Sequence, residues 1–114
     1  MSQERPNSPR AQISSLSQNV GETVRLRARV HTVRAAKVVF LVLRQKIDTV
    51  QAVVAVDEGK VSKQMVKWAG SLQEESIVLV EGVVHAVNEE IQSTTVRDVE
   101  VVVRQVRFRD PSLS

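Results

Sequence analysis

Val38-Val39-Phe40-Leu41-Val42-Leu43-Arg44-Gln45 runs on into Lys46-Ile47-Asp48-Thr49-Val50-Gln51. The run is apolar, rich in β-branched residues and free of Gly and Pro, a composition that favours strand over helix. The polar break at residues 45–48 suits a hairpin turn, and residues 49–56 suit the returning strand. Side chains alternate along a strand, so Val39, Leu41 and Leu43 share one face while Val38, Phe40, Val42 and Arg44 share the other. Both faces carry apolar groups. One face can be core; the other must be covered or meet a partner, and it holds one of the chain's few aromatic rings beside an arginine. A lone Phe on a strand is ordinarily core packing, and pattern alone leaves that reading level with a second one, a stacking platform for an unpaired base.

The flanking sequence fits around this hairpin. Residues 23–31 alternate cleanly, with Val24, Leu26, Ala28 and Val30 on one face and Arg25, Arg27, Arg29 and His31 on the other, which predicts a strand. Residues 34–37 suit a short turn into the hairpin. After residue 56, Asp57-Glu58-Gly59-Lys60 breaks the pattern and the period changes. Val61, Met65, Trp68 and Leu72 then recur at helical spacing, which predicts a short helix with these four as its core stripe, Ser62 as its cap and Gly70 at its end. Residues 76–87 predict a fourth strand, with Gly82 a candidate bulge or bend. Residues 88–95 form a polar loop carrying Glu89 and Glu90, and residues 96–108 predict a last long strand.

Residues 1–20, rich in Ser, Gln, Asn, Arg and Pro, show no periodicity and are expected to be a disordered or loosely attached arm. The folded domain is expected over residues 21–109, and residues 110–114 to end it or begin a hinge. The order strand, strand, strand, helix, strand, strand predicts an all-β protein: a five-stranded OB-fold Greek-key barrel with one helix between strands 3 and 4. A helix-free sandwich is the alternative, and the Met65/Trp68 stripe argues against it. In OB-folds the second and third strands and nearby loops commonly bind oligonucleotides, and the hairpin with Phe40 falls there.

Composition narrows the function. A chain of 114 residues, 42% hydrophobic, suits one domain with one core. Without Cys there is no disulfide framework and no thiolate metal site. His31 and His85 stand far apart and suggest exposed strand positions rather than metal ligands. No apolar run approaches the roughly 20 residues that span a bilayer, and the polar N-terminus lacks a secretory apolar segment, so a soluble cytoplasmic protein is expected. The net charge of +3 is divided unevenly. Arg25, Arg27, Arg29, Arg34, Lys37, Arg44 and Lys46 crowd the first half of the folded region; Glu74, Glu75, Glu81, Glu89, Glu90, Asp98 and Glu100 crowd the second. A polyanion would meet the basic half first, although for Arg25, Arg27 and Arg29 a solvated strand face serves as well. No Gly-rich phosphate loop or nucleophile–histidine pattern is present, so no catalytic residue and no metal ligand is assigned.

Several segments together carry a more specific signal. They are Phe40-Leu41-Val42-Leu43-Arg44-Gln45, Val50-Gln51, Ser62-Lys63-Gln64-Met65-Val66-Lys67-Trp68-Ala69-Gly70-Ser71-Leu72, Glu75-Ser76-Ile77-Val78-Leu79-Val80-Glu81-Gly82 and Val99-Glu100. In this order and spacing, from about residue 22 to 107, the chain resembles the N-terminal anticodon-binding domain of eukaryotic cytosolic aspartyl-tRNA synthetases; the asparaginyl and lysyl enzymes share the fold. The resemblance implies binding of the tRNA(Asp) anticodon loop. It implies that Phe40 stacks on an anticodon base, the central uracil, and that Gln51 reads that base's edge with its amide. Arg34 would lie near the first anticodon base, Glu100 would accept from an amine or ring N–H of a guanine, and Ser93 would sit in the matching loop between the last two strands.

In that family the barrel leads into a class II catalytic domain that activates aspartate with ATP and Mg and carries the homodimer contact. The barrel itself is expected to need no cofactor. The chain alone is therefore expected not to aminoacylate and to be an excised domain of an ATP-dependent aspartate-tRNA ligase. Two alternatives are a free-standing OB-fold RNA-binding module and a protein-interaction module of a synthetase assembly.

Overall fold

The arginine-rich alternation at the start of the folded region becomes β1 (Thr23–Ala35). In this computed structural model, which describes residues 10–57 and 59–108, Val24, Leu26, Ala28 and Val30 point into the core and the alternate residues point out. The central hairpin follows as β2 (Val39–Gln45) and β3 (Asp48–Val54), joined at Lys46 and Ile47. A two-residue connection needs a left-handed backbone at its first position, and Lys46 adopts φ 54 there. After α1 (Lys63–Gly70) come β4 (Ile77–Ala86) and β5 (Val99–Phe108). The strands close in the order β1-β2-β3-β5-β4. Among the pairings between the five described strands only β3–β5 is parallel, and it seals the barrel. The five-stranded barrel with its helix between β3 and β4 is the OB-fold layout expected from the order of elements.

Two slips in register shape the wall. Between Val30 and Thr32 on β1 the residue His31 is extra. Between Glu81 and Gly82 the slip is against β5, where Arg104 is extra. Gly82 is required at this point: a Cβ there would lie 2.5 Å from the Val102 carbonyl oxygen and 2.8 Å from a Val101 methyl. Valine and leucine from every strand fill the interior, including Leu41, Leu43, Val50, Val78, Val101 and Val103.

Two expectations are corrected. The segment before β1 is not a loose arm from Arg10 onwards. It forms a 3-10 helix (Ile13–Asn19) whose Ile13 and Leu16 are 0% exposed and belong to the core. The Ala11 amide donates to the Arg25 carbonyl (2.9 Å) and the Ile13 amide to Gln45 Oε1 (2.9 Å), and the Gln45 amide nitrogen in turn donates to the Arg27 carbonyl (2.8 Å). These bonds satisfy backbone groups that burial would otherwise leave unpaired. The rest of the expected arm, residues 1–9, the last residue of the expected domain, 109, and the expected end or hinge, residues 110–114, lie outside the described residues.

The second correction concerns the helix. Ser62 caps it as expected, its hydroxyl accepting from the Met65 amide (3.0 Å), but the helix begins at Lys63. Val61 therefore lies before it, and the buried pair is Val66 and Ala69, with Met65 and Leu72 half-buried beside them. Trp68, expected in the core, is 39% exposed. At 100° per residue the wall contact centres on the small side chains of Val66 and Ala69, which let the helix approach closely, and this turns Trp68 to the flank.

Candidate nucleic-acid interface

The extra residue at His31 decides what the outer wall presents. Without it, strict alternation from Arg25, Arg27 and Arg29 would turn Arg34 inward. With it, Thr32 pairs with Val42 and Arg34 with Phe40, both on the outside, while Val33 joins the core side. The expectation of a turn at residues 34–37 is correspondingly shortened: β1 continues to Ala35, and the bend falls at residues 36–38.

Two rows of outward side chains then cross the barrel. The first runs Arg34, Phe40, Val53, Val102 and Val83. The second runs Thr32, Val42, Gln51, Glu100 and His85. Phe40 is half-buried on this outer wall, while its neighbours Val39 and Leu41 are core. The Arg34 guanidinium lies over its ring, 4.6 Å from the centroid. This is a cation–π arrangement worth about 0.5–1 kcal/mol at an exposed site. Phe40 and Gln51 are diagonal neighbours across the β2–β3 ladder, a separation of about 7–8 Å.

Gln51 stands beside Glu100 across the parallel closure, and its amide nitrogen donates to Glu100 Oε1 (3.1 Å). A carboxylate only accepts here, so the pairing fixes which end of the amide faces it. One amide N–H is committed to Glu100. Among the described residues, no other hydrogen bond engages the Gln51 carbonyl, its second N–H or the other carboxylate oxygen. Glu100 pairs with Gln51 rather than with Arg97 or Arg104; Arg97 Nε instead donates to the Thr94 carbonyl (3.0 Å).

Four of the five expected site residues, Arg34, Phe40, Gln51 and Glu100, are thus brought together. Ser93 is exposed in the β4–β5 loop, and among the described residues no side-chain bond joins it to the other four. That loop is latched to the start of β3. The Thr49 amide donates to Thr95 Oγ1 and the Thr95 amide to Thr49 Oγ1, both at 2.8 Å, and the Val96 amide donates to the Thr49 carbonyl (2.9 Å). Val42, placed on the Phe40 face by alternation, is half-buried, as are Val53 and Val102, which the sequence does not mark, and the three give the platform its apolar ground. Alternation places Val53 and Val102 on that face only once the strand pairing is known.

The arginine row of β1 serves a different part of the surface. Arg25 and Arg27 pair with β4 and, with Arg10, Arg107 and Glu81, line a cavity of about 310 Å³. Arg29 and Arg44 converge on Glu75, at 3.7 and 3.4 Å. These contacts are exposed and contribute little to stability. Among the described residues, no helix is long and apolar enough to cross a membrane.

Comparison with known proteins agrees with this geometry. The tRNA anticodon-binding family, described as an OB-fold nucleic acid binding domain, matches residues 24–108. The cytoplasmic aspartate–tRNA ligase of Bos taurus is 53% identical over 107 residues, covering 92% of this chain and 21% of the relative. The Homo sapiens enzyme is 50% identical over the same length and shares. Among solved structures, the aspartyl-tRNA synthetase of Entamoeba histolytica superimposes with a TM-score of 0.83 at 36% identity, over 90% of this chain and 21% of that one. The chain thus spans about a fifth of the length of the curated relatives it matches.

Proposed function

We infer, since the chain belongs to the tRNA anticodon-binding family of OB-fold nucleic-acid-binding domains, that its outer β2–β3–β5 wall receives the splayed anticodon loop of tRNA(Asp). The observation that carries this is the grouping of one half-exposed ring, one oriented amide and one carboxylate on a single face. Unstacked bases need an aromatic plane to lie on and fixed donors and acceptors at their edges. Phe40 supplies the plane. Gln51, held by Glu100, offers its carbonyl to a base N–H and its remaining N–H to a carbonyl, a pair that matches the uracil edge. The free oxygen of Glu100 accepts from an amine or ring N–H of a neighbouring guanine. Arg34 either lifts from Phe40 as a base arrives or stacks on that base in turn, since guanidinium planes also serve as stacking partners. Ser93 is assigned to the same loop cluster on the strength of the family resemblance.

Recognition of this kind delivers the tRNA to a catalytic domain that aminoacylates it with aspartate, using ATP and Mg there and dimerising through that domain. The names of the relatives place those enzymes in the cytoplasm, and we assign this chain to the same compartment. The test is a titration of isotope-labelled protein with an anticodon stem-loop. Amide signals of Phe40, Gln51 and Glu100 are expected to shift first and furthest. Shifts confined to the Arg25–Arg27 side would remove the assignment.

A further inference from the structure

We propose that the groove between the β1–β2 bend and α1 is a binding site for the phosphodiester backbone of the RNA strand that leaves the Phe40 platform. The inference rests on the platform reading and adds a second, charge-driven contact to it. The groove has a volume of about 460 Å³. Its rim carries Lys37 from the bend and Lys63 and Lys67 from the helix; its floor is apolar, with Ala35, Val39 and Val56 among the lining groups. Among the described residues, no acidic residue lines it and no ion pair engages the three lysines. Val56, at 52% exposure, is one of the few large apolar side chains left open to solvent.

Two features of this cluster oppose the stability of the free protein. Lys63 is the first residue of α1, at the end where the helix dipole disfavours a cation. Lys63 and Lys67 stand four residues apart on that helix, where like charges repel. A bound polyanion relieves both. An exposed apolar floor beneath several ammonium groups suits a nucleotide chain, whose sugars and bases need cover while its phosphates need cations. The groove lies at the end of the β1–β2 ladder that also carries the platform: Ala35 and Val39 face α1 while their chain neighbours Arg34 and Phe40 face outwards, and Lys37 stands in the bend between them. A strand whose base lies on Phe40 reaches the lysines by turning over this rim at Lys37. An acidic protein segment is the other conceivable occupant; the place beside the base platform favours RNA.

The test compares the 114-residue chain with its Lys63→Gln/Lys67→Gln variant, binding an anticodon stem-loop and an oligouridine strand over a range of salt. Each phosphate neutralised on a single strand contributes about 0.7 to the slope of log affinity against log salt. The variant is expected to lose about 1.4 from that slope with both RNAs, and about tenfold in affinity near ~0.15 M salt, while keeping its preference among anticodons. An unchanged slope overturns the proposal. So does a loss of anticodon preference with the slope intact, because that is the signature of base contact. Phe40→Ala measured alongside separates the two ideas: if it leaves stem-loop binding unchanged, the platform reading fails, and the slope change on oligouridine still decides for or against the groove. Unfolding curves for the variant establish that its exposed substitutions leave the fold intact.

Discussion

Replacing Phe40 by alanine removes the ring on which the interface is centred. In the free protein the loss is modest, because the ring lies on the outer wall. It forfeits one cross-strand pair with Val53, worth about 0.2–1 kcal/mol. It also forfeits the guanidinium contact at 4.6 Å, about 0.5–1 kcal/mol. A total near 1–2 kcal/mol is expected, well below the 3–5 kcal/mol typical of Phe→Ala inside a core. Binding should suffer by a base-stacking contribution of about 1–3 kcal/mol, roughly a fivefold to 150-fold rise in Kd. The lower half of that range is the better expectation, since a base taking the face of the ring that Arg34 covers must first displace the guanidinium. Anisotropy of a labelled anticodon stem-loop measures Kd, and urea unfolding measures stability on the same samples. Phe40→Leu serves as control: it preserves apolar bulk and should recover much of the stability but little of the affinity. An affinity within twofold of the parent chain would refute the stacking role, and a stability loss of 3 kcal/mol or more would place the ring in the core.

Other substitutions probe the frame. Leu16→Ala should cost about 2–5 kcal/mol in urea unfolding, because Leu16 is fully buried beneath the barrel, as large-to-small changes in cores do; a negligible cost would mean that the 3-10 segment is not docked. Trp68→Ala should cost clearly less than the 3–5 kcal/mol of a buried tryptophan, given its exposed flank; a full core-sized loss would contradict the orientation of α1. Gly82→Ala should destabilise by about 1–3 kcal/mol or more through overpacking, because the new methyl meets backbone at 2.5 Å; a neutral result would show that β5 gives way at its extra residue.

Where the physics is local, the sequence was a reliable guide. The alternation around Phe40 and along β1 sorted residues onto the right faces, since a strand's period needs no knowledge of its partners, but around Phe40 it left open which face was core. Ser62 likewise announced its cap. What escaped depended on pairing between distant segments. Arg34 belongs beside Phe40 only because His31 is extra on β1, and a bulge leaves no mark in the pattern when both flanking faces carry mixed residues. The Gln51–Glu100 bond needs the parallel closure of β3 against β5, which no local rule supplies. Ile13 and Leu16 lie three apart in a polar run, too sparse a signal to reveal a docked turn. Of the expected stripe Val61 is core and Met65 and Leu72 pack against it; Trp68 departs because large side chains outweighed Val66 and Ala69 in the helical pattern, whereas close packing favoured the small ones.

The most direct test of the account compares the binding of two stem-loops that differ only in their three anticodon bases, one carrying the tRNA(Asp) anticodon and one an unrelated triplet. A ring, an oriented amide and a carboxylate acting on base edges predict clearly weaker binding of the altered loop, with a similar salt dependence for both because the phosphates are the same. Equal affinity for the two loops would contradict it.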